Sequence, residues 1–509
     1  MNYKYQNFYQ IVESNATLKP NAKIIYINDD KITNKELLNR VDSFAAYLHA
    51  LGVKAGDRVA LITPNSLEFV ISLFAVSKLG AVFIGLNNQL TLSEYSYMLN
   101  DCSAKILITH SSFKKSVSDL QENSTIKHTI WLDKCEVENE QNSLFSDSLN
   151  TTCRCPKHSY NIDELAVIFY TSGTTGNPKG AMISYKNIFS NIEAGIELFN
   201  ITKKDRFILY LPMYHAFTFS ITMLLPIFAM SSIVIIPKLL PFSNIIKQTL
   251  LKRVTIFLGV PDVYNALIRA DLPWYFLWFN SIRLFVSGAS PLSEDTLNKF
   301  NSIFKRAKML EGYGLSECSP AVAINPQNLQ KPLSIGKALK GYEVKIVDRE
   351  LVEVPRGEIG ELIIHGDCVM LGYLNYQTST QETIINGWLR SGDLGYMDSD
   401  DYIFIVDRKK DIIINKGVNI YPREIEEKLS LIPQIKAAAV IGIEDEKSGE
   451  VPVAYIELEE NQELDAKEVR AILKESLATF KLPKHYYFID ELPKNATGKV
   501  MKRVLKESL

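Results

Sequence analysis

Apolar and polar residues alternate in two different periods along the first 110 residues. Short apolar runs predict strands at 57–62, 81–86 and 104–109. Between them, apolar residues recur at helical spacing at 67–78 and 93–100, and we predict an amphipathic helix at 67–78. Strands that alternate with helices in this way predict βαβ units and a parallel sheet.

The pattern weakens in the next stretch and then returns. Residues 111–163 are more polar and less periodic, so we predict an irregular surface segment with one strand at 128–132. Helices alternate with strands again after residue 164. These later strands are predicted at 165–170, 207–211, 255–258 and 283–286.

The pattern of apolar runs and turn residues is different in the last third of the chain. Residues 332–406 contain short strands separated by Gly, Pro and Asp turns, which is typical of a small β-barrel or sandwich. We therefore predict an α/β protein whose large N-terminal domain, residues 1–406, combines parallel βαβ sheets with a small β-barrel. A charged hinge at 407–411 and a small mobile α+β C-terminal domain at 412–509 complete this prediction.

Residues 207–237 contain no charged side chain and are long enough to cross a bilayer. Pro212 and Pro226 interrupt the segment, and several Tyr, His, Ser and Thr residues lie within it. A strand, a buried helix and a second strand at 232–236 account for this composition better. We therefore predict no membrane span here.

Composition narrows the class of protein. The chain has 509 residues, of which 46% are hydrophobic and 22% charged, as expected for a soluble globular protein rather than a disordered one. A net charge of −2 gives no electrostatic reason to expect nucleic-acid binding. The six cysteines are scattered and the N-terminus has no apolar signal-peptide core, so we expect a reducing, cytoplasmic setting without zinc.

The stretch YTSGTTGNPKGAM at 170–182 combines glycines, hydroxyls and a lysine directly after a strand. Glycines let backbone N–H groups approach a ligand closely, and the hydroxyls and the Lys179 ammonium add donors. Together they predict a cradle for phosphate oxygens, although it does not match the GxxxxGK[ST] P-loop. The alternative is a flexible surface loop.

Two acidic motifs follow. In EGYGLSECSP at 311–320, Tyr313 lies between two glycines and could stack on a purine, and the Glu317 carboxylate could hold Mg²⁺ beside phosphates. In RSGDLG at 390–395, the Asp393 carboxylate could accept hydrogen bonds from two ribose hydroxyls. The alternatives are a plain glycine-rich turn and a type I turn aspartate.

Three further features each allow more than one interpretation. Lys499, in the loop PKNATGKV, is either a solubilising charge or a cation that stabilises a transition state. His215, in LPMYHAF, is either a packed core residue or a gate on the substrate side. The aromatic run LPWYFLWFN at 272–280 is predicted to pack in the core, with a membrane-facing patch or a point of access for the acyl chain as the alternatives.

The phosphate-binding stretch resembles that of the acyl-adenylate-forming enzymes, which include acyl-CoA ligases, amino-acid adenylation domains and beetle luciferases. Five motifs follow the order of that family, and the resemblance covers essentially the whole chain. Within the family, EGYGLSECSP, LPMYHAF and VSGASPL look most like fatty acyl-CoA ligases. Amino-acid adenylation domains carry an acid near residues 214–218, whereas this chain has none between Asp205 and Asp262.

The resemblance implies a role for each motif. It assigns Tyr313 to adenine, Asp393 and Arg408 to ribose, Lys410 to the hinge and Lys499 to catalysis. It further implies catalytic roles for Glu317 and His215 and metal binding by Thr171 and Glu317. The same resemblance assigns nucleotide or coenzyme A binding to Thr171, Ser172, Gly173, Thr174, Thr175, Gly176, Lys179, Gly288, Ala289, Gly312, Gly314, Ser316, Lys416 and Gly417.

The resemblance also implies the reaction. ATP and Mg²⁺ would convert a medium- or long-chain fatty carboxylic acid into acyl-AMP, and coenzyme A would then accept the acyl group. Transfer to a carrier protein is the nearest alternative, but the insertion that such ligases often have before the hinge is absent from RSGDLGYMDSDDYIFIVDRKK. The second alternative is a nucleotide-binding protein without catalytic activity. We expect no nucleic-acid partner, and peripheral membrane contact remains open; neither the acid nor the oligomeric state follows from any motif.

Overall fold

The structure is a computed structural model that describes residues 3–133, 141–149, 151, 155, 158–171, 177–238, 240–270, 272–445, 448–495 and 498–509. In these residues the strands form four sheets: one of nine strands, one of eight, and two of five. No helix in the described part of the chain is long and apolar enough to cross a membrane.

The first part of the chain builds most of the eight-stranded sheet. Strands β3 to β7 run parallel to their neighbours in the order β4-β3-β5-β6-β7. The elements are α1 (Tyr9–Leu18), β1 (Lys23–Ile27), β2 (Asp30–Thr33), α2 (Asn34–Ala50), β3 (Arg58–Ile62), α3 (Leu67–Lys78), β4 (Val82–Leu86), α4 (Leu92–Asp101), β5 (Ile106–Thr109), α5 (Lys114–Asn123), β6 (His128–Trp131), β7 (Asn142–Leu144) and α6 (Phe145–Ser148).

The second part adds β8 and β9 to this sheet, which β19 (Gly372–Tyr373) completes by pairing with β9, and builds the nine-stranded sheet. In the latter, β14-β13-β12-β10-β11-β1 are successive parallel neighbours. The elements are β8 (Leu165–Thr171), β9 (Lys179–Ser184), α7 (Tyr185–Phe199), β10 (Arg206–Leu209), a π-helix (Thr218–Leu224), α8 (Leu225–Phe228), β11 (Ser232–Ile235), α9 (Phe242–Leu251), β12 (Ile256–Gly259), α10 (Pro261–Arg269), α11 (Trp274–Phe279), β13 (Leu284–Ser287), α12 (Glu294–Ile303), β14 (Lys308–Gly314) and β15 (Ala321–Ile324).

The third part is rich in antiparallel strands. Strands β17, β18, β21 and β20 form a sheet in that order, and β22 pairs with β21. Gly336, just before β16, also forms an antiparallel bridge with Ile403 of β22, so the short antiparallel strands predicted for this segment are present. The elements are β16 (Lys337–Ala338), β17 (Tyr342–Val347), β18 (Gly360–Gly366), β19 (Gly372–Tyr373), α13 (Gln377–Thr383), β20 (Ile384–Ile385), β21 (Trp388–Met397) and β22 (Ile403–Arg408).

One turn of 3-10 helix, Lys409–Asp411, joins β22 to the last sheet. That sheet has the order β24-β23-β26-β25, with β27 parallel to β26, and α14 packs across it. The elements are β23 (Ile413–Asn415), β24 (Val418–Ile420), α14 (Pro422–Ser430), β25 (Ile435–Asp445), β26 (Gly449–Leu458), α15 (Ala466–Lys474), β27 (His485–Phe488) and α16 (Lys502–Glu507). The predicted α/β class, with a large N-terminal and a small C-terminal domain, is confirmed.

Helices packed between the sheets form the largest core, and α3 shows how dense it is. The predicted bounds of α3 are correct, but the prediction that this helix is amphipathic is wrong. Every residue of α3 except Glu68 is buried, including Lys78, whose ammonium pairs with Asp42 at 2.7 Å. A helix covered on all sides needs no polar face.

The uncharged segment 207–237 has the strand, buried helix and strand that were predicted. All residues of its π-helix and of α8 are buried. This segment therefore lacks charges because it lies inside the protein.

Two other predictions are wrong. The segment 111–163, predicted to be irregular, contains the ten-residue helix α5, whose polar composition concealed it. The aromatic run 272–280 was predicted to lie in the core, but only Phe276 is among the buried residues of α11. The other aromatic rings of this helix point to solvent, because six residues cannot turn all of them inward.

Asn191 of α7 joins three parts of the fold. Its Nδ2 donates to the carbonyl oxygens of Cys318 and Ala321, at 3.3 and 2.7 Å, and to the Tyr342 hydroxyl at 3.0 Å. Its Oδ1 accepts the Ala321 N–H at 3.0 Å. The side chain is fully buried, so a substitution would leave backbone groups without partners inside the core.

We therefore expect Asn191→Ala to destabilise the N-terminal domain by about 2–3 kcal/mol, the cost of leaving buried polar groups unsatisfied. Thermal unfolding followed by circular dichroism measures this as a lower melting midpoint. Asn301→Ala, at an exposed position of α12, is the matched control and should leave the midpoint unchanged. Equal midpoints for the two variants would show that the Asn191 hydrogen bonds contribute no net stability.

Candidate active site

A cavity of about 50 Å³ lies at the carboxyl ends of β13 and β14. Ligands of open α/β sheets bind at such ends. His215 and Tyr313 are its ionisable groups among the described residues, and the rest of the wall is apolar, glycine or serine. The lining residues are Phe199, His215, Phe217, Ile221, Val286, Ser287, Gly288, Ala289, Gly312, Tyr313, Gly314, Leu315, Ser316, Pro320, Ala321 and Ile324.

Seven of the predicted site residues thus line one cavity, and they come from three segments. His215 lies just before the π-helix, Gly288 and Ala289 follow β13, and the others belong to β14 and the turn after it. Gly314 shows why this motif needs glycine. A Cβ atom on Gly314 would lie 1.9 Å from the carbonyl oxygen of Pro320, which no side chain tolerates.

A hydrogen-bonded cluster connects this cavity to the β21–β22 hairpin. The Tyr313 hydroxyl donates to Asp393 Oδ2 at 2.5 Å, and Arg408 Nε lies 3.1 Å from Asp393 Oδ1. Asp393 and Arg408 face each other because their strands pair at that register. The residues predicted for adenine and ribose are therefore in direct contact through one buried carboxylate.

Glu317 lies on a short 3-10 helix directly after Ser316, and its Oε1 accepts a hydrogen bond from the Tyr373 hydroxyl at 2.9 Å. Burial, and then the Glu317 charge, raise the pKa of Tyr373 far above its ordinary value. Tyr373 therefore stays protonated and can act as a donor to Glu317. No sequence motif pointed to Tyr373, because a tyrosine in a short strand such as β19 is common.

The phosphate-binding stretch is described only at its two ends. Thr171 ends β8 and Lys179 begins β9, and the two residues are paired in register. Lys179 Nζ donates to Ser379 Oγ at 2.8 Å and lies 5.4 Å from the centre of the Tyr373 ring. The predicted residues Ser172, Gly173, Thr174, Thr175 and Gly176 lie outside the described residues.

Lys499 approaches the same cluster from the C-terminal domain. Burial, and next the positive charge of Arg408, lower the pKa of Lys499 from 10.5 to about 8, while Asp393 opposes this shift. Burial and then Lys499 also lower the pKa of His215 to about 4. Lys499 is therefore close to both the ribose-side carboxylate and the cavity wall, and His215 is neutral at neutral pH.

The remaining predicted residues divide into two groups. Lys410 lies at the centre of the 3-10 turn between the two domains, beside Arg408 and Asp411. Lys416 and Gly417 instead form the exposed turn between β23 and β24, with φ angles of 48° and 80°. This hairpin does not line the cavity in the described part of the chain.

Glu311 is a residue that the sequence interpretation passed over. It is buried at the start of the glycine-tyrosine motif, and its Oε1 accepts the Leu292 N–H at 3.3 Å. Burial raises the pKa of Glu311 to about 7, with that hydrogen bond and Arg423 opposing the shift. An acid directly after the apolar residues Met309 and Leu310 was the available signal for a special environment.

Comparisons with known proteins agree with this geometry. The sequence model of the AMP-binding enzyme family matches residues 12–374, and that of the AMP-binding enzyme C-terminal domain matches residues 424–499. The long-chain-fatty-acid–CoA ligase of Escherichia coli O6:H1 is 30% identical, over 99% of this chain and 95% of the relative. The feruloyl-CoA synthase of an Amycolatopsis species is 31% identical, over 96% of each chain.

A solved structure is similar over the same length. The crystal structure of ATP-bound MatB from Rhodopseudomonas palustris superposes with a TM-score of 0.90 at 31% identity, covering 99% of this chain and 98% of that one. The chain therefore belongs to the AMP-binding enzyme family and to the superfamily of adenylate-forming acyl-CoA ligases. This confirms the predicted family. ATP, coenzyme A and a small-molecule acid are the substrates of this family, but its members differ in the acid.

The position of Lys499 generates a prediction with two signatures. Removing a hydrogen-bond donor that stabilises charge in a transition state lowers the rate on the order of 10²–10³-fold. We therefore expect Lys499→Ala to reduce the rate of adenylation by that factor, measured as ATP–pyrophosphate exchange. In the wild type, kcat/KM for adenylation should fall as the pH rises above about 8, because the ammonium loses its proton there. His215 should add no limb near its usual pKa of 6.5, since it is already neutral.

The Lys499→Ala variant also serves as the control for the pH profile, because its residual adenylation should lack the limb near pH 8. Thioester formation from supplied acyl-AMP should remain largely intact if, as we propose, that reaction uses another face of the small domain. Equal losses in both half-reactions would make Lys499 a structural residue. A limb that persists in the variant would assign the titration to another group.

Proposed function

We propose that this protein activates a medium- or long-chain fatty carboxylic acid. A carboxylate oxygen attacks the α-phosphorus of ATP, the bond to pyrophosphate breaks, and acyl-AMP forms. The thiol of coenzyme A then attacks the acyl carbon, and AMP leaves. The observation that supports an apolar acid most directly is the wall of the cavity, where Phe217, Ile221 and Val286 contribute no charge.

The size of the cavity qualifies this proposal. A volume of about 50 Å³ has room for a few water molecules but not for a long acyl chain, so such a chain requires side chains of the wall to move. Phe217 and Ile221 are one turn apart at the π-helix, where a helix with wider turns packs less regularly than an α-helix. We infer that the side chains of these two residues move to admit the acyl chain.

Within this proposal each polar residue has a task. Lys499 neutralises charge on the α-phosphate, and Asp393 with Arg408 holds the ribose. Tyr313 packs against adenine, and the neutral His215 borders the carboxylate. Lys416 and Gly417 border the path of the thiol once the small domain has turned about Lys410.

Magnesium remains part of the proposal. The described residues contain no group of three or more His, Cys, Asp or Glu side chains that could hold a metal ion. Mg²⁺ in such sites is held by one or two carboxylates together with the phosphates of the substrate and water. Glu317, oriented by Tyr373, fits that donor set, with Thr171 as the second ligand. The ion would neutralise phosphate charge.

Coenzyme A is favoured over a carrier protein as acceptor. The hairpin from β21 to β22 turns within residues 398–402, without the insertion that carrier-protein ligases often have there. The alternative of a non-catalytic nucleotide-binding protein leaves the shifted pKa values of Lys499 and His215 without a purpose. A cytoplasmic setting stays a prediction, supported by four free cysteines among the described residues.

The proposal is tested by a screen of acids, measured as pyrophosphate release with and without coenzyme A. We expect kcat/KM to rise along a series of straight-chain acids from short to long. Ile221→Trp, which fills the cavity, should lower kcat/KM most for the longest acids. Leu329→Trp, at an exposed position, should leave kcat/KM unchanged for every acid. Better turnover of ferulic or another aromatic acid would contradict a fatty substrate, and release of AMP without any response to coenzyme A would contradict the acceptor.

A further inference from the structure

Helix α11 exposes four large aromatic side chains. Trp274, Tyr275, Trp278 and Phe279 are 68%, 47%, 70% and 67% exposed, and they are termed the aromatic patch here. Phe276 of the same helix is buried and anchors it. Monomeric proteins rarely expose contiguous groups of large apolar side chains unless something binds there.

The aromatic patch is held on a fixed support. The guanidinium of Arg306 donates to the carbonyl oxygens of Leu277 and Trp278, at 2.5 and 2.6 Å. These carbonyl groups in the last turn of the helix thereby gain hydrogen-bond partners. Helix α9 packs against α11, and its last residue, Leu251, is also exposed. The rings therefore project from a defined surface rather than from a loose loop.

The sheet topology brings positive charge to the same edge. Strands β12, β13 and β14 are parallel neighbours, so their starting ends lie together. Helix α11 precedes β13 there, exposed Arg253 precedes β12, and exposed Lys305 and Arg306 precede β14. The cavity lies at the opposite ends of these strands, so the aromatic patch is not a point where the acyl chain enters.

Acidic side chains are absent from the chain segments that form the surface around the aromatic patch. The sequence has no Asp or Glu at 242–255, 272–293 or 296–310. Asp271, immediately before this surface, lies outside the described residues, and Glu459 of the C-terminal domain is paired with Arg269 at 2.5 Å. The surface therefore combines exposed Trp and Tyr rings with a cationic border.

We propose that this surface docks the protein on an anionic phospholipid bilayer. Trp and Tyr rings are favoured at the depth of lipid head groups, where an apolar ring and a polar N–H or O–H are both satisfied. Lys and Arg beside them attract the negative surface of the membrane. Docking by this edge leaves the cavity facing away from the bilayer. The proposal does not depend on which acid is the substrate.

The test uses the full-length protein and flotation with vesicles of phosphatidylcholine, with or without a third of phosphatidylglycerol. Wild-type protein should float with the anionic vesicles, and less so at high salt. Trp274→Ser with Trp278→Ser should weaken this binding roughly tenfold or more. The matched control replaces two exposed apolar residues elsewhere, Leu329→Ser with Val352→Ser, and should bind like the wild type.

A second, charge-reversed variant keeps the test decisive if the serine variant fails to fold. Arg253→Glu with Lys305→Glu alters only exposed side chains and should also reduce binding to anionic vesicles. Wild-type tryptophan fluorescence should shift to shorter wavelength on binding, because Trp274 and Trp278 enter the head-group region.

Three results would overturn the proposal. One is the absence of wild-type flotation, and another is equal flotation of the wild type and both patch variants. The third is a wild-type dimer in light scattering that the serine variant abolishes without any vesicle binding, since a second copy of the chain would then cover the aromatic patch.

Discussion

The buried carboxylate of Asp393 is the interaction on which the site depends. Its side chain is only 6% exposed, and a carboxylate taken out of water requires partners that compensate its charge. Arg408 and the Tyr313 hydroxyl supply them. These partners come from different parts of the fold, because Tyr313 lies near the end of β14 in the nine-stranded sheet and Arg408 ends β22, the last strand before the C-terminal domain. The Asp393 carboxylate therefore holds β14 and the end of β22, where the small domain begins, in place. It also positions the Arg408 charge, which helps to lower the pKa of Lys499.

The small domain is attached in a way that suits movement. Lys494 pairs with Asp262 at 2.9 Å and Arg269 with Glu459 at 2.5 Å, and both pairs join α10 to the C-terminal domain. Exposed ion pairs of this kind contribute little net stability, so separating them costs little. In this arrangement Lys499 reaches the site, whereas the turn at Lys416 and Gly417 faces solvent. We propose that this is the adenylating arrangement and that a second arrangement lets the thiol use the other surface of the same domain.

The sequence predicted the elements best where one period of hydrophobicity was dominant. The bounds of α3 and the strands of the parallel sheets were predicted closely, because buried strands and long apolar helices leave strong local signals. Burial around a helix is decided by distant segments, which is why α3 was wrongly given a polar face. Local pattern also cannot tell a buried aromatic run from an exposed one, and α11 was misjudged for that reason. At the site, the motifs identified Tyr313, Asp393 and Lys499. Tyr373 is recognised only from its hydrogen bond to Glu317, whereas the acid at position 311 was visible in the sequence but its burial was not.

The central claim is that one site serves two half-reactions because the small domain turns about Lys410. Lys410 lies in a single 3-10 turn, where φ near −60° is usual, so proline at this position fits the present arrangement. A large change of φ would then be blocked. We expect Lys410→Pro to retain ATP–pyrophosphate exchange and to lose acyl transfer to coenzyme A, whereas Lys410→Ala, which keeps the backbone free, should retain both. Full thioester synthesis by Lys410→Pro would contradict the account, because the domain would then turn elsewhere or not at all.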